Sequence, residues 1–176
     1  MLERDATQYE DFVMGQMVDG QPQVHGTPEI RGFFHIGVRN RHRDKTAINC
    51  YVYLEKASKL DSPTEIHLNA VELKWAGYLW PNAHIPANTA RRFDACWIPH
   101  KHPSQLQFNT FSDSTEFIPY VAGEGRYELR YSVITDNFPI ARGSFILSLD
   151  RRLASTSLVS TRDGLRPEPG QRRGWA

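Results

Sequence analysis

Gly123-Glu-Gly-Arg-Tyr-Glu-Leu-Arg-Tyr-Ser-Val-Ile134 is the stretch on which the fold turns. Behind an acidic, glycine-flanked turn, Tyr127, Leu129, Tyr131 and Val133 recur at every second position. That period puts all four on one face of an extended strand, with Glu128 and Arg130 on the other. Asp136-Asn137 then predicts a hairpin, and Phe145, Leu147 and Leu149 repeat the alternation beyond it. Two neighbouring strands, each with one apolar face, need a second layer to cover that face.

The same pattern extends upstream. Phe34, Ile36 and Val38 share one face, opposite His35, Gly37 and Arg39. Cys50, Val52 and Leu54 point inward, while Tyr51, Tyr53 and Glu55 point out. Val71, Leu73 and Trp75 follow, then Phe93, Ala95 and Trp97, then Leu106 and Phe108. Breakers separate these runs at Asn40 to Lys45, Asp61-Ser-Pro63, Pro81-Asn82, Pro86-Ala-Asn88 and Pro99 to Pro103. The pattern predicts an all-β, antiparallel sandwich or barrel of about seven to nine strands. No helical pattern alternates with the strands, so a parallel α/β sheet is not expected.

Outside residues 29–150 the composition changes. In residues 1–28, Leu2, Ala6, Tyr9, Val13 and Met17 fall on one helical stripe, which predicts a short N-terminal helix ending near Gly20. A linker is expected over 21–27, where Pro22 and Gly26 stand. Residues 151–176 carry Arg162, Arg166, Arg172 and Arg173 among prolines and glycines, and read as a flexible basic tail.

The segment Gly123-Glu-Gly-Arg-Tyr-Glu-Leu129 resembles the approach to strand F of immunoglobulin-like and fibronectin-like domains. The resemblance implies an immunoglobulin-like sandwich in which the Tyr127 hydroxyl ties a corner to upstream backbone. Leu129 then stands where secreted members carry the second disulfide cysteine. Cys50 resembles the strand B cysteine, and Trp75 the strand C tryptophan. With leucine at 129 the inter-sheet bridge is absent, and the core is held by packing. Alternation from Phe93 through Trp97 would turn Cys96 away from that core.

Composition restricts function more than it assigns it. A formal net charge of +1 gives no overall field for steering toward nucleic acid or an anionic membrane. No run approaches the length of a membrane span. The start, Met1-Leu-Glu-Arg-Asp5, lacks the apolar stretch of a secretory signal, so a cytoplasmic protein is expected. Two cysteines, Cys50 and Cys96, are too few for a disulfide framework and lack metal-motif spacing. Phosphate-loop, dinucleotide-binding, nucleophile-elbow and zinc-protease motifs are absent, and no cofactor is expected.

The best recognition candidate is Ala76-Gly-Tyr-Leu-Trp-Pro-Asn-Ala-His-Ile-Pro86, a connection rich in both breakers and bulky side chains. Aromatic side chains supply large contact area at low entropic cost, and loops of such folds carry binding. Tyr78, Trp80 and His84, with the outward Tyr51 and Tyr53, are therefore the expected partner-binding residues, and another protein chain the expected partner. The reading is a non-enzymatic protein-binding or assembly module. A metal-dependent enzyme or ligand binder is the first alternative. It would use His100 and His102, two apart in an extended segment, with Asp94 or His84 as third ligand. The others are a carbohydrate binder using exposed aromatics, and a nucleic-acid contact through Arg39-Asn-Arg-His-Arg-Asp-Lys45. The last stretch has no paired stacking platform and reads first as a solvated turn.

Overall fold

A computed structural model describes residues 2–12, 15–18, 21–24, 29–62, 65–66, 70–77, 80–99, 105–110, 121–151 and 156–161, with backbone alone for 2–31, 65–66 and 121–122. The stretch that opened the sequence analysis is strand β12, Gly125–Ile134. Earlier in the chain come β1 (Leu2–Phe12), β2 (Gly15–Val18), β3 (Gln21–Val24), β4 (Glu29–Arg39) and β5 (Ala47–Lys59). Next are β6 (Glu65–Ile66), β7 (Val71–Leu73), β8 (Ala83–Ile85), β9 (Ala90–Pro99), β10 (Gln105–Leu106) and β11 (Val121–Ala122). After β12 come β13 (Ala141–Leu149) and β14 (Ser157–Ser160).

The chain is all-β and antiparallel, with two main sheets. One is ordered β1-β4-β9; the other is seven-stranded, β14-β13-β12-β5-β6, with β7 and β8 also paired to β5. The pairs β2–β3 and β10–β11 are two-stranded ribbons. Residues of both main sheets meet in one core, including Phe34, Ile36, Phe93 and Ile98 from the first and Val52, Leu54, Leu129 and Phe145 from the second. Full burial of a side chain of this size contributes about 1.5–3 kcal/mol. A file of edge-on rings crosses the interior. Trp75 meets Phe93 at 6.3 Å, Phe93 meets Tyr131 at 5.4 Å, and Tyr131 meets Phe145 at 5.9 Å. Each such pair adds about 0.5–1.5 kcal/mol beyond its burial.

The corner before β12 forms as the residues suggest. Gly123 and Gly125 take φ of +101° and +141°, conformations that a side chain would resist. The turn they make brings the Tyr127 hydroxyl 2.8 Å from the Gly123 carbonyl, to which it donates. Asp61 accepts from the Arg126 amide at 3.2 Å and ties the same corner to the end of β5.

Five expectations are corrected. The leader holds no helix among its described residues: Leu2–Phe12 is a strand, paired from Leu2↔Val38 to Phe12↔Glu29 with one register shift. The β4 edge offers a row of backbone partners, and Thr7, Tyr9 and Phe12 are residue types that favour a strand. The linker is in part β3, which pairs with β2; residues 25–28 lie outside the described residues. The basic tail begins later than residue 151, because Ser157–Ser160 pairs with β13 and Leu158 is buried in the core. Residues 162–176 lie outside the described residues.

The fourth correction concerns Cys50. Its strand pairs directly with β12, so Cys50 and Leu129 share a sheet and do not face each other across the core. The fifth concerns Cys96. Phe34 pairs with Cys96 and His35 with Asp94, which leaves Ala95 as an extra residue in β9. This bulge resets the alternation. Cys96 therefore joins Phe93 and Ala95 in the core, and Trp97 turns to the outer face, half-buried against Phe33 at 6.3 Å. Tyr131 reaches the bulge with a long contact, its hydroxyl 3.4 Å from the Ala95 carbonyl.

Candidate functional site

The aromatic connection is built by a chain that leaves one sheet for the other and returns. β7 pairs with β5, Val52 opposite Leu73. Two residues later Trp75 is bridged to Phe93 of β9, and the Ala76 amide donates to the Arg92 carbonyl at 3.1 Å. Trp75 is buried, and its indole N–H donates 3.0 Å to the Cys50 carbonyl. Gly77, at φ +68°, turns the chain in open space. The chain comes back to β5 at β8, where Ala83 pairs with Cys50.

Trp80 sits in this return. It is 68% exposed, the most exposed of the large apolar side chains described. Trp80 therefore does not cap the core. Tyr78 lies outside the described residues.

His84 alternates with buried Ala83 and Ile85 and faces solvent. Its Nδ1 accepts from the Asn49 amide at 3.2 Å. Asn49 has φ of +49° at the irregularity in the β5–β8 pairing, and its side chain donates to Asp136 at 2.6 Å and accepts from Asn82 at 3.0 Å. One ring nitrogen of His84 is thus used to fix the edge that carries Trp80.

Tyr51 and Tyr53 are half-buried on the outer face of the larger sheet, the face His84 shares. Tyr51 lies opposite Ile134, which is 41% exposed, and Tyr53 opposite Ser132. On its other side Tyr53 faces Glu72, and its hydroxyl approaches the carboxylate at 3.4 Å. Partial burial, then the charge of Glu72, raise the Tyr53 phenol above its ordinary range; burial likewise raises Glu72. No ring contact joins Trp80 to either tyrosine among the described residues. The expected residues therefore form two neighbouring features, an exposed loop tryptophan and a tyrosine-bearing sheet face.

Sequence reasoning missed a buried polar cluster. His35 and Asp94 lie opposite each other on β4 and β9, and both are buried. Nδ1 of His35 stands 3.0 Å from Asp94, off the direction of a hydrogen bond. The Asn109 amide donates to the other carboxylate oxygen at 2.6 Å. Phe33 stacks on the imidazole, 6.2 Å away and nearly parallel. The available signal was alternation, which puts His35 outside the core, where only a covering partner could bury it. No hydroxyl or thiol is hydrogen-bonded to His35 among the described residues.

Asp94 is thereby occupied, and His100 and His102 lie outside the described residues. No group of three or more potential metal ligands occurs among the described residues. Residues 40–45 are the solvated turn expected of them, held by the Asn40 side chain, which donates to the carbonyls of Lys45 and Ile85 at 2.7 and 2.9 Å.

Compared with protein-family models, curated proteins and solved structures, the chain finds no match. Among the described residues, no helix is long and apolar enough to cross a membrane.

Proposed function

We propose that this chain is a non-enzymatic binding module of immunoglobulin-like architecture that docks another protein through Trp80, with Tyr51, Tyr53 and Ile134 extending the contact. The exposure of Trp80 carries the reading. Tryptophan is enriched among residues that dominate binding energy, and an indole left 68% in water gains its apolar stabilisation only when a partner covers it. The loop is held at both ends, by Trp75 in the core and by the Asn82–Asn49 and His84–Asn49 bonds. A held loop loses less entropy on docking.

The architectural part is supported by strand order and by the corner. β1-β4-β9 follows the A-B-E order of immunoglobulin-like sheets, and β13-β12-β5 follows G-F-C. On this reading β5 is strand C, so Cys50 stands on C and not on B. The Tyr127–Gly123 bond is the tyrosine-corner contact of that fold. The buried unbridged thiols of Cys50 and Cys96 suit a reducing compartment and a cytoplasmic setting.

Trp80→Ala tests the docking surface. Pull-down from cells should lose its specific partner, while the melting temperature stays within about 1 °C, as for a surface substitution. A fall in melting temperature with the same partner retained would return Trp80 to a structural role.

A further inference from the structure

At the end of the molecule away from the Tyr127 corner, a cavity of about 370 Å³ opens between the two main sheets. Its floor is apolar: Val38, Cys50, Ile85 and Val133 belong to the core, and Phe138 and Ala141 pack against it. The polar side chains of the lining are committed to the protein itself. The Asn40 amide nitrogen is used on the carbonyls of Lys45 and Ile85, and its oxygen accepts from the His42 amide at 3.0 Å. The Thr135 hydroxyl accepts from the Phe138 amide at 2.9 Å and donates to the Phe138 carbonyl at 3.2 Å. His42 holds the Asp44 carboxylate at 2.7 Å. Arg39 and Arg41 take part in interactions of their own, and Arg39 alternates with buried Val38, which turns it away from the floor.

The charges around the cavity also offset one another. Arg39 and Arg41 share the rim with Asp44, and Asp136 follows Thr135. At the floor, burial pushes the Cys50 thiol up to about 11, against the lowering by its Ile85 backbone bond, and the charges of Asp136 and Arg91 act on it in opposite senses. A charge placed there loses water and meets no net field in return. The cavity is also formed in advance. Asn137 clamps the β12–β13 hairpin to the start of β5, its side chain accepting from the Ile48 amide at 3.0 Å and donating to the Thr46 carbonyl at 2.8 Å. We propose that this cavity binds a small uncharged molecule, apolar over most of its surface and of the size of a two-ring aromatic. An apolar cavity of about 150 Å³ holds one benzene ring, so there is room here for about two. The volume also falls within the roughly 300–1,000 Å³ of small-molecule sites. An ionised ligand would give up its hydration for donors and acceptors that are already used, whereas an apolar one gains from burial alone.

N-phenyl-1-naphthylamine, an uncharged dye that brightens in apolar surroundings, tests the site in the full chain. It should bind one equivalent and raise the melting temperature. Octan-1-ol should displace it, and octanoate and octylamine should each compete at least about tenfold more weakly. Arg39→Gln and Arg41→Gln should leave octan-1-ol affinity unchanged. Ala141→Leu, which fills the lining, should abolish it in a protein whose melting curve shows it folded. Whether or not that variant folds, octan-1-ol titrated into the methyl-labelled parent should shift the resonances of Val38, Ile85 and Val133, and not those of Leu147 and Leu149 beside the Tyr127 corner. Absence of dye binding overturns the proposal, as does octanoate or octylamine competing as well as octan-1-ol. Loss of octan-1-ol affinity in either arginine variant, or shifts confined to Leu147 and Leu149, would overturn it too. Trp80→Ala should leave dye affinity unchanged, which separates this site from the docking surface; loss of the dye in that variant would place it on Trp80 and end the proposal.

Discussion

Replacing Tyr127 by phenylalanine removes one oxygen atom from the corner that introduces β12. The ring is fully buried and keeps its packing, including the Lys59 ammonium 5.7 Å above it. What is lost is the 2.8 Å hydrogen bond to the Gly123 carbonyl. Gly123 is half-buried, so water can reach the freed carbonyl, and the cost should stay near 1 kcal/mol, about the net worth of one hydrogen bond. For a chain of 176 residues that corresponds to a drop in melting temperature of roughly 2–4 °C. Urea denaturation followed by circular dichroism should show a lower midpoint at an unchanged slope. The effect also has a pH signature. Burial raises the Tyr127 phenol above its ordinary value of 10. The unfolded chain therefore loses this proton first, so the contribution is intact below about pH 10 and fades as pH rises through the folded value. The gap between the parent and Tyr127→Phe should narrow over that alkaline range. An unchanged midpoint would refute the energetic role of the corner. A loss above about 3 kcal/mol would too, since that exceeds one hydrogen bond and implies a repacked ring.

Two further outcomes follow from the buried polar and thiol groups. Burial pushes the Cys50 thiol up to about 11 and raises Cys96 further still, so neither should be alkylated by iodoacetamide in the native protein at pH 8, and both should react in guanidinium; rapid native labelling of Cys96 would contradict its place in the core. Asp94→Ala deprives the Asn109 amide of its partner and the His35 ring of its neighbouring acid, and should cost about 1–3 kcal/mol by denaturant titration; a change under 0.5 kcal/mol, ordinary for surface positions, would mean that the cluster is not buried in solution.

Alternation made β12 and β13 legible because each repeats without interruption and the glycines before them mark a single corner. Sequence reasoning failed where a strand breaks its own period. The Ala95 bulge reversed the expected sides of Cys96 and Trp97, and no residue type at 93–97 announces a bulge. The leader failed for a different reason: Leu2, Ala6, Tyr9, Val13 and Met17 do satisfy a helical period, but the choice belonged to the unpaired edge of β4, a partner remote in sequence. Ser157–Ser160 was hidden by the arginines, glycines and prolines around it, and its adjacent Leu158 and Val159 give no period-two pattern. Of the candidate site, the outward Tyr51 and Tyr53 were readable from alternation; the exposure of Trp80 was not, since an aromatic side chain in a connection can equally cap the core. The His35–Asp94–Asn109 cluster was not, since it joins residues from separate segments.

Replacing Trp80 with a photoreactive phenylalanine derivative in cells tests the docking proposal most directly. Irradiation should give a covalent adduct whose mass increases by that of one whole protein chain, while the same substitution at Val159, an exposed apolar position remote in the strand order, should give none. Equal labelling at both positions, or no adduct at residue 80, would contradict a docking surface centred on Trp80.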